Sequence, residues 1–568
     1  MARHPYFQDH LAFLVEGGRA MAQAYPRVAD HLGKGSFDPD VECLLKGIAF
    51  IASKVSERRD VALTELCQLA FDILYPHYLC PLPACSILEV LPAEQARGTV
   101  PRGSEVRSEP VLGTPCRFVT SYDIELAGQR LREVTWRHSG RSGRLSLALS
   151  LGQWLETEGD DNLRFHFHGD TLITRALYRA LTAGLSAVQL EVGGDTIDVT
   201  EQLKVAGSGF AANEALLAYP TGSFDGFRLL QEYFLFPEKF MFVAVGGLRK
   251  LLRQRARTGA EVSLHFDVAT EVSGLNVGHE HVRLNCTPVV NIFPHSADPV
   301  YRDPRHIEQL VRPAGAHLHY EVYRVLHVAG WSKGQIIDYP PLAEVQEPRV
   351  GAWAQVLRRE RAKDIYTYLM LYDGPQRSPR DQTLLIDILA TNGQLPAALA
   401  AGDLSNLQSE LNGVTCRNIA AISRPVPAPR GEQLRRRLVA HLALGQRDLS
   451  ALGPLRDTID LYNFRADADA QAARANELLL ESITIASTKE VQTLHRRTPI
   501  WGRSTELTLD EKAFDTLGDL HLFSALLNEF IALQTPLNIY SEVMTRRVHA
   551  MDVYRWPKRL GPESLSAS

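Results

Sequence analysis

The stretch DPDVECLLKGIAFIASKVSERRDVALTELCQLAFDILYPHYLCPLP, residues 38–83, holds the change of texture from which the fold class follows. Asp38 followed by Pro39 supplies a helix N-cap and a proline at the first helical position, where its missing N–H is not needed. Behind it Val41, Leu44, Leu45, Ile48, Ile51 and Val55 recur at three- and four-residue steps, which puts them on one helical face. A second run, Leu63, Leu66, Ala70, Ile73 and Leu74, is stopped by Pro76. The spacing predicts two long amphipathic helices inside a helical segment spanning residues 1–85. Pro76, Pro81 and Pro83 mark its end.

From Ser86 to about residue 290 the apolar period is mostly two. Leu145, Leu147, Leu149 and Leu151 alternate, as do Leu163, Phe165 and Phe167, then Val188, Leu190 and Val192, then Val262, Leu264, Phe266 and Val268. Gly and Pro separate these runs, as strands joined by turns require. Helical spacing interrupts them at Leu172–Leu185 and Asp225–Phe234. Residues 86–300 therefore read as a β-rich middle. Residues 301–430 mix strand-like pieces (Leu318–Val322, Leu384–Leu389) with a linker or extended arm at Pro425, Pro427 and Pro429. Residues 431–568 read as a C-terminal α+β domain, with helical spacing over Gly431–Leu461 and an amphipathic helix over Leu520–Thr535. The class is α+β and multidomain: an N-terminal helical segment, largely antiparallel β domains, and a mixed C-terminal region.

Composition agrees with a large ordered chain. At roughly 150 residues per domain, 568 residues suggest about three to four domains. A compact fold of this size would expose roughly 20,000 Å² and bury about three quarters of the unfolded surface. With 45% hydrophobic residues the chain is not disordered, and a net charge of −5 argues against nucleic acid or an anionic membrane as the main partner. The N-terminus lacks the pattern of a secretory signal, and no run of about 18 apolar residues predicts a membrane span. Seven scattered cysteines read as reduced thiols, so the expected compartment is the cytoplasm.

Motifs for chemistry are weak. Gly33-Lys34-Gly35-Ser36 has the wrong spacing for a phosphate-binding loop, and neither Gly140-Arg141-Ser142-Gly143 nor Gly207-Ser208-Gly209 fits a nucleophile elbow. The pairs His166/His168, His279/His281 and His317/His319 would each share a strand face and could hold a metal, but no third ligand is fixed by spacing. Asp510-Glu511 reads as a turn or helix start rather than an acid pair. No catalytic residue, cofactor site or metal site is assigned; a cytosolic metal-dependent hydrolase built on the paired histidines is the rival reading.

The text from Asp38 to Pro83, ending in LYPHYL (Leu74–Leu79), resembles the TssF (ImpG/VasA) family of type VI secretion baseplate proteins. Further blocks follow in the family's order: VPRGSEV (Val100–Val106), TPCRFVTSYDIEL (Thr114–Leu126), ALLAYPTGSFDGFRLLQEYFLFPEKFMFVAVGGL (Ala215–Leu248) and LNCTPVVNIFPHSADPV (Leu284–Val300). LRRRLVAHLALGQRDL (Leu434–Leu449), the segment Leu507–Val543 and WPKRLG (Trp556–Gly561) continue it. TNGQLP (Thr391–Pro396) and AHLALGQ (Ala440–Gln446) depart from the family pattern.

The resemblance implies a structural role without catalytic residues. Such proteins form a wedge with TssG, two copies per TssG; with TssK, TssE, the spike hub and sheath proteins they build the platform for sheath and tube assembly. It implies recruitment to the cytoplasmic face of the inner membrane without insertion. The alternative within the class is the wedge subunit of a phage-like or extracellular contractile particle. Candidate partner-interface residues are Val41, Leu44, Leu45, Ile48, Ile51, Val55, Leu63, Leu66, Ile73 and Tyr75 on the helices. Phe236 and Phe240 are added from the aromatic run Phe224–Phe242, which reads either as core packing around a strand, the more common case, or as an interface anchor; the helices equally fit a bundle closed within the subunit.

Overall fold

A computed structural model describes residues 5–25 and 39–560 apart from 94, 141, 221, 256–260, 270–274, 304, 316–318, 346–350, 360–364, 375–380, 430–431, 446, 496–497, 537 and 551–552. Asp38, the Gly33–Ser36 stretch, His317 and Leu318 lie outside the described residues.

The N-terminal segment is helical, with α1 over Pro5–Ala24 and α2 over Pro39–Leu74. The two helices expected from the second stretch are one helix of 36 residues. The polar break between the apolar runs, Ser56–Asp60, contains neither Gly nor Pro, so nothing interrupts the hydrogen-bond ladder. After Pro76 the chain enters sheet. A six-stranded antiparallel sheet runs Leu404–Leu407, Glu105–Val111, Thr114–Thr120, Cys286–Val290, Cys85–Pro92, Val414–Asn418. Its strands come from both sides of the boundary expected at 300/301, and Cys85 already pairs with Val290, so neither 85/86 nor 300/301 divides the fold.

The alternating runs of the middle are strands of two further antiparallel sheets. Arg130–Ser139, Ser142–Ser150, Leu185–Val192, Asp195–Asp198 and Glu261–Ala269 form one; Leu163–Phe167, Lys204–Ser208, Phe242–Gly246 and Val282–Arg283 form the other. Helices interrupt them: α3 over Thr171–Thr182, capped by Asp170 onto the Leu172 N–H, α4 over Asp225–Leu235, and a short one over Leu248–Arg253. Between residues 293 and 391 two sheets enclose a separate core that includes Phe293, Val328, Trp353, Leu369 and Ile386. The proline arm is pinned rather than free: Val426 and Leu82 exchange both backbone bonds, at 2.8 and 2.9 Å.

The C-terminal region carries α5 (Glu432–Leu444), α6 (Leu452–Tyr462), α7 (Ala470–Ser482) and α8 (Leu517–Gln534). Strands Thr498–Leu509 and Tyr540–Arg547 pair in parallel, with α8 as their crossover. The segment expected to be amphipathic, Leu520–Thr535, is instead buried nearly all round, because α8 is packed by α3, α4 and the sheet at once. Gly518 lets it come close: a Cβ there would sit 2.4 Å from the Arg175 carbonyl oxygen of α3.

A charged knot lies under this helix layer. Glu232 of α4 is fully buried; it accepts from the Leu216 and Leu217 N–H groups at 2.7 and 2.9 Å, from Arg228 Nη1 at 2.6 Å, and from Lys239 Nζ. Burial lowers the Lys239 pKa to about 8 even beside this carboxylate. Asp225 completes the knot with two bonds to Arg228, at 2.5 and 2.7 Å. Glu232→Gln leaves two buried cations around one carboxylate. It should cost about 3–5 kcal/mol, read as a drop in melting temperature and in soluble yield of the full chain.

Candidate partner interface

The apolar positions of α2 fall on two faces. Ala49, Ser53 and Ser56 are buried, and their small side chains bring α1 close, with Tyr6 donating to Asp60 and His10 Nε2 2.8 Å from Ser56 Oγ. Val41 and Leu45 are half-buried. Leu44, Ile48, Ile51 and Val55 are 66%, 50%, 65% and 63% exposed. At 100° per residue these four, with Ala62, Leu66 and Ile73 further along, fall within about 60° of arc. They form one seam along the helix.

The root of α2 is fixed at two places. Phe71 stacks on Tyr78, ring centroids 4.9 Å apart; the Tyr78 hydroxyl donates to the Leu461 carbonyl at 2.7 Å and receives Arg437 Nη1 at 2.7 Å. His77 and His441 both reach the Tyr462 hydroxyl, at 3.1 and 3.2 Å. Burial lowers their pKa values to about 3 and about 4, so both rings stay neutral near pH 7. On the other side Gln68 and Asp72, one turn apart, accept the backbone N–H groups of Leu357 and Gln355 at 3.3 and 3.4 Å. These belong to an edge strand, Gly351–Arg359, of a three-stranded sheet. Side chains of α2 thus cap a free sheet edge.

Of the residues singled out from sequence, Leu63, Leu66 and Ile73 are also exposed, while Tyr75 is half-buried with its ring 4.8 Å from that of His441. Phe236 and Phe240 are corrected: both are buried in the main core, Phe240 against Phe210 and beside Lys239, so they pack this chain and offer no surface. Phe50 and Val61, 56% and 50% exposed, were not singled out from sequence because they fall off the periodic face.

Of the histidine pairs, His166 and His168 lie with ring centroids 6.3 Å apart, whereas His279 and His281 do not lie on a strand. His166 is buried against the Phe242 ring with its Nδ1 unpartnered, and His168 lies just past the strand end. His279 and His281 sit in a 3₁₀ turn, where His281 Nδ1 accepts the Gly278 N–H at 3.0 Å. Among the described residues no group of three or more His, Cys, Asp or Glu side chains is gathered as for a metal ion, and no helix is long and apolar enough to cross a membrane. All seven cysteines are free thiols.

The class is a largely antiparallel scaffold that carries an N-terminal two-helix arm with a row of exposed aliphatic side chains. The chain belongs to the TssF family of the type VI secretion system, whose family model matches residues 2–563. It is 26% identical to the type VI secretion system component TssF1 of Pseudomonas aeruginosa, over 98% of each chain. It is also similar, with a TM-score of 0.79 and 27% identity, to a chain in the cryo-electron microscopy structure of the TssK-TssF-TssG baseplate subcomplex, covering 92% of this chain and 100% of that one. A second structure, of the baseplate complex from the type VI secretion system, shares the fold at a TM-score of 0.58 and 24% identity, covering 98% of this chain and 99% of that one.

The Asp72 contact has a pH signature. Burial raises its pKa to about 6, against a weaker opposing pull from Arg324 and the Gln355 N–H. The folded chain therefore binds a proton more tightly than the unfolded one, and between about pH 4 and 6 stability falls as pH rises. Asp72→Asn should raise the melting temperature at pH 7.5, by an equivalent of up to about 3 kcal/mol, and the gain should fall to about half at pH 5 and toward zero only near pH 4.

Proposed function

We propose that this protein is a wedge subunit of a type VI secretion baseplate and that the exposed seam of α2 is where it joins a TssG-like protein and a second copy of itself. The observation that carries the reading is Leu44, Ile48, Ile51 and Val55, a row of large aliphatic side chains half or more exposed on a helix whose root is fixed. Helical faces of this kind are covered by partner helices in water. The relative in the TssK-TssF-TssG subcomplex supports the choice of partners. In this assembly the scaffold also carries the TssK-like adaptor, meets TssE-like, spike-hub and sheath proteins, and works at the cytoplasmic face of the inner membrane as a structural part.

Leu44→Asp or Ile48→Asp should abolish co-purification with a TssG-like protein of the same system while leaving the melting temperature of the isolated chain unchanged. A folded variant that recovers wild-type amounts of complex sinks the shared-bundle reading.

A further inference from the structure

The strands Glu321–Ser332 and Gln335–Tyr339 are joined by Lys333 and Gly334 alone, both with positive φ, 48° and 80°, as a two-residue primed hairpin turn requires. The pair that closes such a turn, here Ser332 and Gln335, is hydrogen-bonded, and bonded and unbonded pairs alternate along the ladder from there. Ile336 opposite Trp331 and Asp338 opposite Ala329 are therefore the unbonded pairs. Their N–H and C=O groups point away from the hairpin. Gln335–Tyr339 is the last strand of its sheet, and among the described residues no backbone group pairs with that edge over 335–338.

One face of this sheet lies on the core of Val328, Leu384 and Ile386. On the other face the register sets Tyr301, Thr383, Trp331 and Ile336 in a row across four strands that ends at the free edge. Tyr301, Trp331 and Ile336 are 61%, 49% and 65% exposed. Two residues along, Asp338 stands at the same edge, with His327 Nε2 at 3.3 Å from it and His327 Nδ1 at 3.7 Å from Asp387. The edge thus offers outward donors and acceptors two residues apart, an apolar row beside the first pair and carboxylates beside the second.

These features select one kind of occupant. Outward N–H and C=O groups at alternate residues are matched by an extended backbone and not by a helix, whose own groups are used internally. The carboxylates repel nucleic acid and anionic lipid and favour a cationic side chain. A second copy fits poorly: antiparallel pairing of two such edges about Ile337 sets each Asp338 against an Ile336, leaving both charge and apolar row unmatched.

We propose that the edge Gln335–Tyr339 takes an added strand from a different protein of the secretion apparatus, with an apolar residue against Ile336 and Trp331 and a Lys or Arg two positions away against Asp338; this rests on the assembly role proposed above. In the test, full-length wild type, Ile336→Pro, Asp338→Lys, Asp338→Asn and Ile48→Asp are each titrated against the purified TssG-like, TssK-like, TssE-like and sheath proteins of the same system. Each isolated chain is also melted. Proline at 336 removes only an N–H that faces away from the hairpin, so the ladder keeps its bonds. With one of these proteins, Ile336→Pro and Asp338→Lys should each lose at least about tenfold in affinity while melting near wild type. Asp338→Asn should lose less and should weaken the dependence of binding on salt. If Ile336→Pro does not fold, Asp338→Lys decides. Binding of Asp338→Lys within about twofold of wild type for every protein overturns the edge, as does an unchanged salt dependence in Asp338→Asn. A loss confined to self-association, or to vesicles of phosphatidylethanolamine and phosphatidylglycerol, overturns it too. If wild type binds none of the proteins, the baseplate role and the edge both fall; if Ile48→Asp alone loses binding, the edge alone falls.

Discussion

A helix of 36 residues, about 54 Å long, can present a seam at a fixed place only if its root cannot swing. That constraint is met by the short text after α2. Tyr-Pro-His-Tyr ends the helix and sends His77 and Tyr78 into contact with residues nearly 400 positions later, at Leu461 and Tyr462. Apart from Arg437, which donates to the Tyr78 hydroxyl, this anchor is made of neutral rings and hydroxyls in a dry setting, and burial keeps His77 and His441 uncharged near pH 7. The capped edge strand at 355–357 fixes the second side. Two unrelated anchors on different elements set both tilt and rotation of the arm.

The same logic holds deeper in the scaffold. Charges buried at Glu232, Arg228 and Lys239 add little net stability over an apolar core, yet each has only one arrangement in which all partners are satisfied. They fix α4 relative to the loop at 216–217 and to the turn that carries Lys239. On that layer α8 packs with nearly every side buried, His521, Ser524 and Asn528 included, and Arg175 of α3 pairs with Asp519 at 2.7 Å where the two helices meet. Helix positions are thereby set by polar pairs, and the close packing follows.

What could be read in the sequence was whatever is local. The runs at 145–151, 163–167, 188–192 and 262–268 alternate because one face of each strand is buried, and the strands fall where the period places them. α3 and α4 were visible from spacing for the same reason, and the short helix Leu248–Arg253 was not. Pairing was not visible: nothing in Cys85–Pro92 announces partners at 286–290 and 414–418, so boundaries drawn from proline content cut through one sheet. Periodicity also cannot say which apolar face is covered. Val41 and Leu45 differ from Leu44 and Ile48 only in lying on the side α1 takes, and Phe236 and Phe240 looked like anchors because buried and interfacial aromatics have the same composition. The hairpin turn at Leu112 and Gly113, both with positive φ, is invisible for a further reason: Leu-Gly is not the pattern such a turn prefers.

Self-sufficiency is unevenly distributed along the chain. The middle and C-terminal parts close together around a shared apolar cluster, whereas much of the apolar surface of α2 faces water. A ligand that covers such a surface stabilises the folded state in proportion to its concentration over its dissociation constant, so the arm should gain most from assembly and the scaffold least. Exposed leucines and isoleucines on an ordered helix are unfavourable alone and favourable once shared. Because the root is anchored by groups that the seam does not touch, a partner can bury the seam without reorganising the scaffold, and the energy of burial goes into association rather than into folding.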